Sequence, residues 1–215
     1  MSFIIAVDGP AASGKGTVAG RLAAELCLPY LDTGLLYRAV GVKAAGRRGP
    51  LAPAAIAAAR ELASSALENP ELRTRGAGEL ASQVAVIPEV RAALLDFQRV
   101  FAARAGGAVL DGRDIGTVIA PHAPAKLFVT AAPETRAERR WKQLAGQGEK
   151  VSLDEVLADI RLRDERDSSR ASAPLVQAAD AVLLDTTKMA ISEAADAARR
   201  IVQAARARWD LSQTS

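Results

Sequence analysis

Short apolar runs at 3–8, 29–32, 108–111, 126–130 and 181–185 punctuate the chain, and alanine-rich stretches with helical spacing separate them. The first run is almost uninterrupted from Phe3 to Val7, as expected of a strand buried on both faces of a parallel sheet. Strands that alternate with helices predict an α/β fold: a doubly wound, five-stranded parallel sheet flanked by helices. Asp8, Asp32, Asp111 and Asp185 close four of these runs. In an open α/β sheet the carboxyl ends of the strands border the ligand crevice, so these carboxylates are candidates for ligand contact. Aspartate also starts turns and caps helices, and for Asp8 and Asp185 that structural role is the equal alternative.

The helical stretches carry more detail. Residues 17–26 read as the first helix. An alanine-rich helix at 52–66 lies in a stretch, 46–78, that also holds Pro50, Pro53, Pro70 and the only asparagine, Asn69. A small subdomain over the sheet is expected there. After residue 150, Leu153, Val156 and Ile160 form an apolar stripe, and the same spacing continues through Arg163, Asp167 and Arg170. A buried face that turns charged within one helix should overhang a cleft. Arg163, Arg166 and Arg170 would then neutralise phosphates or donate to a base as the segment closes. The competing reading is an exposed helix laced with i,i+3 and i,i+4 ion pairs. Arg136, Arg139 and Arg140, on the preceding helix, read as support or surface. Residues 191–209 form an amphipathic helix expected to pack on the sheet.

Between the first strand and the first helix stands Gly9-Pro10-Ala11-Ala12-Ser13-Gly14-Lys15-Gly16-Thr17. The spacing G-x-x-x-x-G-K is that of a phosphate-binding loop: glycines let consecutive N–H groups turn inward around phosphate oxygens, Lys15 adds a positive charge, and the helix N-terminus faces the same anion. One departure stands out. Gly16 occupies the place where the general motif has the Mg²⁺-ligating Ser or Thr, and Thr17 comes one residue later, so direct metal ligation by Thr17 is not assured. Past the second run, Asp32-Thr33-Gly34-Leu35-Leu36-Tyr37-Arg38 turns into a helix with Arg38 one turn inside. Arg113 follows the third run directly. Two guanidinium forks at neighbouring strand ends suit a second phosphate.

Composition narrows the classes. With 215 residues, 49% hydrophobic and 25% charged, the chain fits one globular domain. The net charge of +3 comes without a basic run and with only 4% aromatic residues, which favours anionic small ligands over nucleic acid. A single cysteine, Cys27, excludes an intramolecular disulfide and is expected at a helix end in the core; a single histidine, His122, argues against a zinc site or a histidine triad. No signal peptide and no run of 18 apolar residues is found, so the expected location is cytoplasmic, without a membrane. Nothing indicates a self-complementary apolar surface, and a monomer is expected. A GTPase switch is disfavoured because Asn69 is followed by proline and no N-K-x-D motif exists.

Taken in order, G-P-A-A-S-G-K-G-T, D-T-G-L-L-Y-R, A-S-Q-V, D-G-R-D-I-G-T and R-D-E-R-D-S-S-R followed by A-P-L resemble the bacterial cytidylate kinases over nearly the whole chain. The resemblance implies a P-loop kinase core (about 1–45, 86–145 and 172–215), a monophosphate-binding subdomain (about 46–85) and a helical lid (about 146–171), within one domain, 1–215. It implies phosphoryl transfer from ATP to CMP or dCMP with Mg²⁺. It assigns residues 9–17 to the ATP phosphates, Lys15 to the β/γ region, and Arg38 and Arg113 to the acceptor phosphate. Ser82, Arg91, Asp114 and Arg170 match cytosine-recognition positions, Arg163 and Asp167 positions near the sugar, and Thr33 stands where relatives have serine. Lys15, Arg113, Arg163 and Arg166 are the expected catalytic set, and Thr17 and Asp111 the expected metal residues, Asp111 through water. One departure is visible: between the 52–66 helix and Leu72 the chain lacks the β-rich run of typical bacterial relatives, so the acceptor subdomain is abbreviated.

Overall fold

The computed structural model describes residues 2–213. Strands β1 (Ile4–Asp8), β2 (Tyr30–Asp32), β3 (Ala108–Gly112), β4 (Ala125–Thr130) and β5 (Val182–Asp185) form one sheet in the order β2-β3-β1-β4-β5. Every pairing is parallel; Asp8 of β1 sits opposite Gly112 of β3, and Asp32 of β2 opposite Asp111. The helices are α1 (Lys15–Leu26), α2 (Thr33–Ala45), α3 (Leu51–Arg60), α4 (Arg75–Val84), α5 (Pro88–Ala102), α6 (Pro133–Gly146), α7 (Leu153–Ser169) and α8 (Ile191–Gln213).

Strand side chains alternate between two cores, one on each face of the sheet. Ala6, Leu110 and Ile115 pack with Leu36, Val40, Val90 and Leu94 on one face; Ile5, Val7, Leu127 and Val129 pack with Val18, Leu22 and Val202 on the other. A smaller cluster, Ala137, Leu144, Val156 and Ile160, joins α6 to α7. Helix α4 lies close along α2, where a Cβ on Gly41 would stand 2.8 Å from the Leu80 side chain.

All five expected strands are present at their expected places. Three details differ. The 52–66 helix stops at Arg60 and gives way to 3₁₀ turns at Ser64–Glu68 and Pro70–Arg73: Ala55, Ala58 and Ala59 are the buried contacts of α3, and beyond them alanine propensity alone does not sustain the helix. No strand occurs between α3 and α4 among the described residues. Cys27 is exposed, not in the core. It caps α1 in the left-handed region, φ 53°, so that Leu28, whose N–H bonds back to Ala23 O at 2.9 Å, is the residue that turns toward the core. Helix α8 extends past 209 to Gln213.

Candidate active site

The loop between β1 and α1 is shaped by two glycines. Gly9 has φ +151°, and a Cβ there would lie 1.9 Å from the Val129 carbonyl oxygen; Gly14 has φ +90°. Gly9, Pro10 and Ser13 are buried behind the loop, where Ser13 O accepts a hydrogen bond from Thr186 Oγ1 at 2.9 Å. Ala11, Ala12, Gly14, Lys15, Gly16 and Thr17 face a cavity of about 310 Å³. No side chain caps the first turn of α1, so its N–H groups are available to an anion.

At the carboxyl end of β3, Asp111 enters the same cavity. Tyr30 Oη donates to Asp111 Oδ2 at 3.2 Å, while Asp111 Oδ1 is buried without a partner. A Cβ on Gly16 would stand 3.0 Å from Asp111 Oδ2. The Asp111 carboxylate thus crowds the position where the general motif has Ser or Thr. Burial and the nearby Asp32 raise the Asp111 carboxyl above its ordinary range, against the pull of Lys15. Burial and Arg113 lower the Lys15 ammonium, while Asp111 and Asp32 hold it up. Asp32 itself caps α2 by accepting from Gly34 N at 2.9 Å, and Thr33 Oγ1 donates to Asp111 O at 2.8 Å.

Arginines crowd the rest of the cavity. Arg38 is steered by the carbonyls of Leu72 and Thr74, at 2.7 and 3.3 Å. The Arg38 and Arg163 guanidinium groups both come within 3.4 Å of the space a Gly78 Cβ would occupy. Burial followed by Arg113 and Arg38 brings the Arg163 guanidinium down to about 10, and its Nε is buried without a partner. Such unsatisfied, mutually repelling donors define a place for polyanions. Arg113 donates from Nε to Asp167 Oδ2 at 2.8 Å. Burial would raise Asp167, but Arg113 and Arg170 overcome it and hold this carboxyl below its ordinary range.

Around Asp114 the cavity changes character. Asp114 pairs with Arg91, whose guanidinium lies 5.6 Å from the centre of the Tyr37 ring. Burial raises the Asp114 carboxyl despite Arg91 and Arg170. Ser82 Oγ is buried without a partner, and so is Arg170 Nη2, which lies 3.3 Å from Asp167 Oδ1 without a hydrogen bond. Thus Thr33, Arg38, Ser82, Arg91, Asp111, Arg113, Asp114, Arg163, Asp167 and Arg170, drawn from α2 to the C-terminal cap of α7, meet in one cavity with the phosphate loop. The stripe of α7 does turn from Val156 and Ile160 to buried charge at Asp167 and Arg170.

Some expected residues stand elsewhere. Arg166 does not line the cavity; it pairs with Glu79 of α4, half-exposed. Asp185 forms a turn by accepting from Thr187, and Asp8 bonds to backbone N–H groups of residues 115 and 116. Arg140 and Gln143, read as surface or not singled out, do line the cavity. Their signal was helical spacing: Arg136, Arg140 and Gln143 share a face of α6, with buried Arg136 tied to Asp164 at 2.6 Å. A second ion pair, Arg75–Asp159 at 2.6 Å, also links α4 to α7.

Comparison with known proteins agrees with this geometry. The family model described as Cytidylate kinase matches residues 5–204. A protein named Cytidylate kinase from Caulobacter sp. (strain K31) is 71% identical over 97% of this chain and 98% of its own. One of the same name from Xanthobacter autotrophicus (strain ATCC BAA-1158 / Py2) is 64% identical over 95% and 99%. Among solved structures, an uncharacterized protein from Eubacterium ventriosum ATCC 27560 shares the fold, with a TM-score of 0.57 over 94% of this chain and 99% of that one at 16% identity. Near-complete matches along the same stretches that build the cavity place this chain in the cytidylate kinase family.

Proposed function

We propose that the chain transfers the γ-phosphoryl group of ATP to CMP or dCMP, releasing ADP and CDP or dCDP. The observation that carries this reading is the single cavity: the phosphate loop with Lys15 and the Ser82–Arg91–Asp114–Arg170 group open into it together. Arg113 acts electrostatically on both Lys15 and Asp114, as a residue between donor and acceptor should. The acceptor phosphate oxygen attacks the γ-phosphorus as the bond to the β-bridging oxygen breaks, so no enzyme nucleophile is required. Lys15, Arg113 and Arg163 offset charge on the transferred group, and Arg38 with Arg113 holds the acceptor phosphate. Arg140, on the cavity wall beside Arg163, joins that cationic set.

Cytosine offers an N4 amino donor and N3 and O2 acceptors. Asp114 suits the donor; Arg91, Arg170 and Ser82 suit the acceptors. Uracil would set O4 against the carboxylate and leave buried groups unpaired. Arg163 and Asp167 lie where the sugar would pass.

The donor set at the loop fits Mg²⁺. Asp111 Oδ1 is an unpartnered buried oxygen, and Thr17 lines the same cavity. Among the described residues no group of three or more His, Cys, Asp or Glu side chains is arranged to hold a metal ion; Mg²⁺ ordinarily keeps several waters and binds through one or two protein oxygens plus substrate phosphates. Asp111, through water, and Thr17 would hold it. When bound, Mg²⁺ neutralises charge on the ATP phosphates.

The segment 146–171 is read as a lid and 46–85 as the acceptor-binding segment of one domain. No helix among the described residues is long and apolar enough to cross a membrane. As our own assignment, the protein is a cytoplasmic monomer without nucleic-acid partners. The test is diphosphate formation from ATP with CMP, dCMP, UMP, AMP and GMP side by side at fixed Mg²⁺. Strong preference for CMP and dCMP is expected. Activity confined to another acceptor would overturn the substrate assignment.

A further inference from the structure

Asp8 ends β1, immediately before the phosphate loop, and is buried at 5% exposure. Its Oδ1 accepts from Ile115 N at 2.8 Å and its Oδ2 from Gly116 N at 2.7 Å. These are the first N–H groups of a π-helical turn, Ile115–Ile119, whose N-cap residue is Asp114. The other end of that turn closes on Asp114 as well, since Val118 N and Ile119 N donate to its carbonyl oxygen at 2.9 and 3.2 Å.

An aspartate at an N-cap ordinarily bends its own carboxylate back onto the exposed N–H groups of the turn. Asp114 makes no such bond. Its carboxylate instead pairs with Arg91 and lines the cavity. One of the groups it would have capped, Gly116 N, is already taken by Asp8 together with the neighbouring Ile115 N. The two carboxylates also repel, which favours keeping Asp114 turned away. Gly116 makes the arrangement possible: a Cβ there would stand 3.3 Å from Asp8 Oδ2 and 3.1 Å from Lys126 Cδ.

We propose that Asp8 is a positioning residue for base selection: it caps the 115–119 turn in place of Asp114 and so leaves the Asp114 carboxylate free to read the cytosine edge. This rests on the assignment of Asp114 to the base. It ties the last residue before the donor loop to the acceptor pocket through two hydrogen bonds, with no contact between Asp8 and either nucleotide required.

Asp8→Asn tests it, because an amide accepts at one oxygen only and turns an N–H donor toward the other N–H. The uncapped N–H then competes for Asp114. The expected result is a fall of about tenfold in kcat/KM for CMP, a fall of less than about twofold for UMP, and a KM for ATP within about twofold of the original. Gly116→Ala, which pushes the turn off an intact Asp8, should lower the CMP/UMP ratio in the same sense. In an Asp114→Ala background, Asp8→Asn should leave the ratio where Asp114→Ala put it. Equal losses for CMP and UMP in both Asp8→Asn and Gly116→Ala would overturn the proposal and leave Asp8 a purely structural cap. So would a further change of ratio in the Asp114→Ala background. A ratio untouched by Asp114→Ala alone would instead overturn the base-reading assignment on which the proposal stands.

Discussion

The donor end and the acceptor end of the cavity are built from different materials. The proposed donor loop is nine consecutive residues whose backbone would do the binding: Gly9 is packed against the Val129 carbonyl, Gly14 takes a positive φ, and the first turn of α1 is left uncapped. The acceptor end is made of side chains that come from α2, α4, α5, β3 and α7 and are held by one another, as in Arg91–Asp114 and Arg113–Asp167. A backbone site depends on a few conformations and is insensitive to most side chains. A side-chain site depends on identity, and any one of its members is oriented by the next.

The sharpest test at the donor end removes its one essential side chain. Lys15→Ala should lower turnover by roughly a thousandfold while the melting temperature stays near the original, because the loop is shaped without Lys15. Retained activity would remove the loop from the chemistry. At the acceptor end, Asp114→Ala should lower kcat/KM for CMP about a hundredfold and affect UMP far less, since only cytosine loses its partner. An equal loss for both would make the acceptor end as indifferent to identity as the donor loop.

Gly16→Ser probes the boundary between the two ends. It restores the general motif, yet its Cβ would crowd Asp111 Oδ2. A fall of about tenfold in kcat, measured across a Mg²⁺ titration, is expected. A gain would show that Asp111 yields easily to a hydroxyl. The smallest effect is expected from Arg166→Gln, about two- to threefold, because Arg166 pairs with half-exposed Glu79 outside the cavity. A loss matching that of Arg163→Gln would return Arg166 to the chemistry.

The same division decides what the chain discloses when read as letters. Contiguous features are legible: all five strands, the loop, and the change of α7 from apolar to charged face follow from local pattern. Ser82, Arg91 and Asp114 emerge only through resemblance, because no spacing in one segment says that they converge with Arg170. The places of Arg140 and Arg166 are not legible in the sequence for one reason. Both sit on arginine-rich helices where several phases are open, and only packing of α6 on α7 and of α7 on α4 selects which arginine turns inward. Local pattern leaves Asp8 between a ligand contact and a turn, because its partners are more than a hundred residues away. Helical spacing puts Cys27 in the core, whereas the left-handed cap shifts the buried position by one residue.

The ion pairs Arg75–Asp159 and Glu79–Arg166 fasten α4 to α7 beside the cavity. Both are partly exposed, so each is worth less than about 1 kcal/mol and weakens as salt is added. In the proposed lid this makes ionic strength a kinetic variable with two opposed senses. Added salt would loosen the fastening and quicken nucleotide exchange, and it would screen the arginine field that attracts phosphates. The rate at which this enzyme fills and empties would then depend on the ions around it as well as on the residues within.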